Sequence, residues 1–171
     1  FKPLGKTSFR GIADSVVYLR NAKDTVNSAW AKENPDYPDF VAYCYIDREC
    51  GLSLHVLGSA RIIDGETDYL HDYEDRALTL RIGGVEAVEC AEVVDSAFSE
   101  FAERISALRE QYGMDDSQLR ELRGIGDLDR FRHPHYPDDV QAILFKKGVE
   151  GAEQVWLRTR VLDGDRVLAR L

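Results

Sequence analysis

The residues with the greatest chemical capacity lie in one short run, His133-Pro134-His135-Tyr136-Pro137-Asp138-Asp139. In an extended, proline-restrained backbone, side chains two apart share a face. His133 and His135 can therefore offer two imidazoles to one metal ion, with Asp138 or Asp139 as a carboxylate ligand. The competing reading is a proline-rich connector whose polar side chains meet solvent, and the other two histidines, His55 and His71, are far upstream.

A second group is acidic: Asp68, Asp72, Glu74 and Asp75, interleaved with Tyr69, His71 and Tyr73. Such a set can supply carboxylates for acid–base work or for a divalent cation. Catalytic carboxylates need burial to separate their pKa values, and this stretch reads instead as a solvated acidic loop. Gly124-Ile125-Gly126 follows a short helical pattern rather than a strand and lacks both a third glycine and a Gly-Lys-Ser/Thr ending. It predicts helix termination, not a phosphate loop. There is no Gly-x-Ser-x-Gly elbow, and Cys44, Cys50 and Cys90 have no adjacent histidine to act as base. No catalytic residue is assigned.

Charge narrows the partners. The chain has 171 residues, with 22 Lys+Arg against 31 Asp+Glu and a formal net charge of −9, so a phosphate backbone is repelled on average. The densest basic stripe, Arg158, Arg160, Arg166 and Arg170, is interspersed with Glu150, Glu153, Asp163 and Asp165. No nucleic-acid partner is expected. Three cysteines without Cys-x-x-Cys spacing predict buried, reduced thiols in a cytoplasmic protein. No apolar run approaches the ~20 residues a bilayer requires, so no membrane partner is expected. The chain begins at Phe1 and ends at Leu171 within an alternating apolar pattern, which reads as a fragment of something longer.

The elements that must position these residues follow from periodicity. Residues 15–19 (SVVYL) and 40–47 (FVAYCYID) read as strands, the second apolar on both faces and therefore covered on both. A helix over 24–32 is stopped by Pro35. Residues 52–63 read as a long return strand with a bulge at Gly58. Residues 66–75 read as a loop or short exposed helix. Strands are expected over 77–82 and 85–94 around Gly83-Gly84. Phe98, Phe101, Ile105, Leu108 and Tyr112 trace one face of a helix over 96–112, capped by Asp95 and ended by Gly113, and a short helix over 116–123 stops at Gly124. Strands over 140–145, 154–162 and 166–171 make a meander with a tight turn at Asp163-Gly164.

The fold class expected is therefore α+β: a mainly antiparallel sheet covered by an amphipathic helix, with a C-terminal β-meander. The organisation expected is an α+β body over 1–123, a linker over 124–139 and a small β-meander module, truncated at its end, over 140–171.

The order of elements in VVYLRNAKDTVNSAWAKENP, FVAYCYID, LHVLGSARIID and LTLRIGGVEAVE, spanning about residues 16–94, resembles the flavin-binding split barrel of the pyridoxamine-phosphate-oxidase and general-stress-protein superfamily. That resemblance implies a split-barrel-like sheet and FMN held at a dimer interface, with Lys23, Thr25 and Asn27 where the family meets the flavin phosphate. HPHYPDDVQAILF with AEQVWLRTRVLDGDRVLARL is similar to the start of a small β module of uncharacterised bacterial proteins, which implies architecture and no chemistry. Two functions are carried forward. The first is a non-catalytic binding protein with no cofactor, using its edge strands or two-faced apolar strand for a homodimer or a protein partner. The alternative is an FMN-binding, oxidoreductase-like protein.

Overall fold

A computed structural model describes residues 1–30, 34–71, 77–92, 96–148 and 150–171, with the side chains of 27–30 and 96 outside that description. Seven strands make the larger sheet. In chain order its elements are β1 (Lys2–Pro3), β2 (Ser15–Arg20), the helix α1 (Lys23–Trp30), β3 (Asp39–Asp47), β4 (Gly51–Ile63), β5 (Glu66–Leu70), β6 (Thr79–Arg81) and β7 (Glu89–Glu92). Their lateral order is β1-β7-β2-β3-β4-β5, with β6 also on β4, and every pairing is antiparallel. The sheet curls into a half-barrel.

Its centre is the β3–β4 hairpin, buried along nearly its whole length as the two-faced apolar pattern requires. The thirteen-residue β4 has β3 on one edge and both β5 and β6 on the other. A bulge shifts the register between Val41 and Ala42, where Val41 faces Gly58 and Ala42 faces Val56, leaving Leu57 as the extra residue. Gly58 is required beside it, because a Cβ there would overlap the backbone carbonyl of Leu70.

The helices α2 (Ser96–Glu100) and α3 (Ala102–Gln111) pack against the sheet. Phe101, Ile105 and Leu108 are buried there, and Phe98 meets Tyr43 edge-on at 6.2 Å. The single helix predicted over 96–112 is thus interrupted. Phe101 leaves helical geometry (φ −110°, ψ 23°) as its ring stacks against His71 at 4.6 Å and meets Tyr69 edge-on at 5.8 Å. Arg104 fastens α3 to the bulge, donating to the carbonyl of Leu57 at 3.0 Å and to His55 Nε2 at 3.2 Å.

The loop or helix expected over 66–75 is overturned for its first half. Asp64 and Gly65 both take positive φ, 52° and 87°, forming the two-residue turn that pairs β5 back onto β4 from Ile63↔Glu66 to Ser59↔Leu70. Asp72, Tyr73, Glu74 and Asp75 lie outside the described residues, as does the expected cap Asp95.

After α4 (Ser117–Gly124), whose first amides are capped by the Asp116 carboxylate, a 3-10 helix covers Gly126–Phe131. The chain then forms a separate antiparallel sheet, β8 (Asp139–Phe145), β9 (Ala152–Asp163) and β10 (Arg166–Arg170), in the order β10-β9-β8. The fold is therefore α+β with a C-terminal meander. Among the described residues no helix is long and apolar enough to cross a membrane.

Candidate functional site

Residues 124–139 connect the two sheets, and several of their polar groups are buried. Arg123 donates from Nε and Nη2 to the two oxygens of Asp138, both at 2.8 Å. Arg132 donates to the carbonyls of Leu122, at 2.6 Å, and of Pro137. The amide and hydroxyl of Thr159 on β9 both donate to the Asp138 carbonyl at 2.9 Å, and Arg48, from the β3–β4 turn, donates to the carbonyl of Thr159 at 2.8 Å. The amide of Leu52 on β4 donates to the carbonyl of His135 at 2.7 Å, an approach open because Gly51 has no Cβ and takes φ 77°. Side chains and backbone thus fasten the meander to the hairpin at the heart of the half-barrel.

This joint decides where the sequence-predicted ligands lie. His133 and His135 come together, their ring centroids 5.8 Å apart, and His133 Nδ1 accepts from the His135 amide at 3.1 Å. Burial and then the neighbouring His135 hold the His133 imidazole below its ordinary pKa, which favours the neutral ring. His135 Nε2 faces Glu86 Oε1 at 3.0 Å. Asp138 is not brought to them as a ligand: the fork of Arg123 occupies both of its oxygens. Among the described residues no group of three or more His, Cys, Asp or Glu side chains is arranged to hold a metal ion.

Lys23 and Thr25 lie in the first turn of α1, Lys23 exposed and Thr25 half-buried, while the side chain of Asn27 falls outside the described residues. Two cavities of about 610 and 640 Å³ open elsewhere on the body. The first is walled in part by Tyr18, Tyr69 and three glutamates, Glu66, Glu92 and Glu100; the second by His71, Phe101 and Arg104. Neither has Lys23 or Thr25 on its wall. Of the acidic group, Asp68 is held by Arg61 and Tyr37 at 2.8 and 2.9 Å, and Arg61 together with the Tyr37 hydroxyl keeps its carboxyl below the usual range. His71 pairs with Glu100 at 2.9 Å. The first pair joins β4 to β5 and the second reaches α2; neither brings a nucleophile to a base.

The meander is different. Its register places Asp139, Gln141, Ile143 and Phe145 of β8 on one face with Trp156 and Arg158 of β9. A bulge on β9 then flips the alternation: Ala169 pairs with Thr159 and Leu168 with Val161, so Arg160 is the extra residue. Val161, Leu168 and Arg170 consequently join the same face. The opposite face carries Val140, Ala142, Val155, Leu157 and Leu162, all half-buried, and Thr159, buried in the joint. The first face is open: Phe145 is 79% exposed, Ile143 60%, Leu168 50% and Trp156 43%. Of the eleven large hydrophobic residues exposed among the described residues, six lie in β8, β9 and β10; five of them, Ile143, Phe145, Trp156, Val161 and Leu168, are on this face and Leu144 is on the other.

The chain matches no protein-family model, no curated protein and no solved structure. Its own geometry carries the functional argument.

At its inner end the open face meets the joint, where Trp156 packs edge-on against His133 at 5.0 Å. Beside Trp156, Arg158 donates to both oxygens of Asp139, at 2.8 and 3.2 Å, and lies 3.4 Å from Glu49. A rigidly held sheet face with aromatic and aliphatic side chains in the middle and arginines beside them suits macromolecular recognition. The basic stripe stood out in the sequence, but its convergence with Trp156 on one face did not. Period-two alternation through β8 was the available signal, since it sets Ile143 and Phe145 on the face of Trp156 once β8 and β9 are paired.

Proposed function

We propose that this protein is a non-catalytic binding protein and that the open face of the meander is its binding surface. The observation that carries this reading is the concentration of exposed apolar side chains on one face of a small sheet whose other face and root are fastened to the body. An apolar patch of this kind on a soluble domain marks an interaction site. Being fastened, the face is preorganised, so association loses little conformational entropy. The half-barrel serves in this reading as the scaffold.

The test is a random peptide library selected on the intact chain and, in parallel, on the combined Phe145→Ser, Leu168→Ser variant. Peptides enriched on the first and lost on the second are the expected result. Enrichment of nothing, with a chain that stays monomeric and gains several degrees of melting temperature in excess FMN, would move the function from the meander to a cofactor site.

A further inference from the structure

We propose that the open face binds an acidic, apolar segment of a partner protein, its carboxylates held by Arg160 and Arg170 in the cavity beside Trp156; this rests on the meander being the binding surface. That cavity is about 300 Å³ and is walled by Trp156, Arg158, Arg160 and Arg170 together with Glu49 and Asp139. Both of those carboxylates are engaged by Arg158. Arg160 and Arg170 have no acidic partner among the described residues.

Two features of the strands point to a missing anion. Arg170 lies directly opposite Arg158 in the β9–β10 register, and of these two like charges only Arg158 has carboxylate partners among the described residues, Asp139 and Glu49. Arg160 is the bulged residue, and its Nε is buried without a hydrogen-bond partner. Native proteins rarely leave such a donor unmatched, and arginine forks suit a carboxylate. The cavity is thus a basic spot on a chain of net charge −9.

On the same face Leu168 lies two residues from Arg170 and Ile143 one pair beyond Trp156, with Phe145 at the far end of β8 opposite Ala152, so an occupant extending along the face must carry apolar side chains as well as negative charge. A single-stranded nucleic acid fits less well. Trp156 and Phe145 offer rings to bases, but the aliphatic Ile143 and Leu168 between and beside them do not, and the whole-molecule charge of −9 opposes a polyanion. An extended peptide alternating apolar and carboxylate side chains meets both demands.

The selection above, read for composition, tests this. Captured peptides should be rich in Asp and Glu alongside aliphatic or aromatic residues. Their affinity should fall with added salt, and about tenfold in the combined Arg160→Gln, Arg170→Gln variant. Arg170→Gln alone, at an exposed position, should show part of the loss with the melting temperature unchanged. Captured peptides with no acidic excess, or with affinity untouched by the arginine variants but abolished by Phe145→Ser, would overturn the acidic partner and leave the binding face standing. Two other results would replace the occupant: tighter binding of oligothymidylate, or a concentration-dependent dimer lost with Phe145→Ser. A monomer that captures nothing would remove both.

Discussion

The guanidinium of Arg123 grips both oxygens of Asp138 at 2.8 Å, with the two side chains only 8% and 5% exposed, inside the joint between the half-barrel and the meander. Removing one partner leaves the other charge buried and unpaired. Asp138→Asn should therefore cost about 3–5 kcal/mol, and the combined Arg123→Met, Asp138→Leu variant considerably less. Urea denaturation of the three proteins measures both costs; equal losses would show that the pair is not the element holding the joint.

His55 gives stability a pH dependence. Burial, with the Arg104 cation adding to it, holds its imidazole down to about 4, whereas the unfolded chain takes up that proton near 6.5. Between these values the unfolded state binds more protons. This contribution, of order 3 kcal/mol, is complete above the unfolded pKa and is lost as pH falls through the window toward the folded one. His55→Gln should lose stability at about pH 7 and show a smaller drop than the parent on going to about pH 4.5. Parallel slopes in denaturation experiments would exclude His55 as the source.

Gly58 tests the tight approach of β5 to the bulge. Gly58→Ala places a Cβ against the Leu70 carbonyl, which is backbone and cannot swing aside, and should cost about 1–3 kcal/mol. Gly126→Ala, with no atom within 4 Å of the new carbon, should stay within about 0.5 kcal/mol of the parent. Midpoints of chemical denaturation distinguish the two.

Two isoleucines separate core from binding surface. Ile105, 1% exposed under the half-barrel, should lose about 2–5 kcal/mol on conversion to alanine. Ile143, 60% exposed on the meander, should lose no more than about 0.5 kcal/mol while its peptide binding weakens. A large stability loss at Ile143 would mean that the face is packed in solution.

Much of the fold was legible because alternation is local. The unbroken apolar faces of FVAYCYID and the spacing of Phe101, Ile105 and Leu108 predict β3 and the covering helix directly. β5 was not legible: Glu66 to Leu70 lacks a clean apolar face, and only the Asp64-Gly65 turn pairs it with β4. The candidate site was legible in its parts. Arg158, Arg160, Arg170 and Trp156 are conspicuous residues, but which face of the meander stays open depends on how α4 and the Arg123–Asp138 joint sit against β9. Those contacts cross fifteen residues or more of chain, and no local pattern encodes them. Likewise, the run from His133 to Asp139 shows the two imidazoles as neighbours but not that both Asp138 oxygens are taken by Arg123.

The bond from the Leu52 amide to the His135 carbonyl makes the interior of the half-barrel a witness to events on the meander. Trp156 touches His133, two residues from that carbonyl, so a chain of contacts runs from the open face to the longest strand of the main sheet. The exchange rate of one deeply placed proton would then register the arrival and departure of a ligand that never touches the barrel.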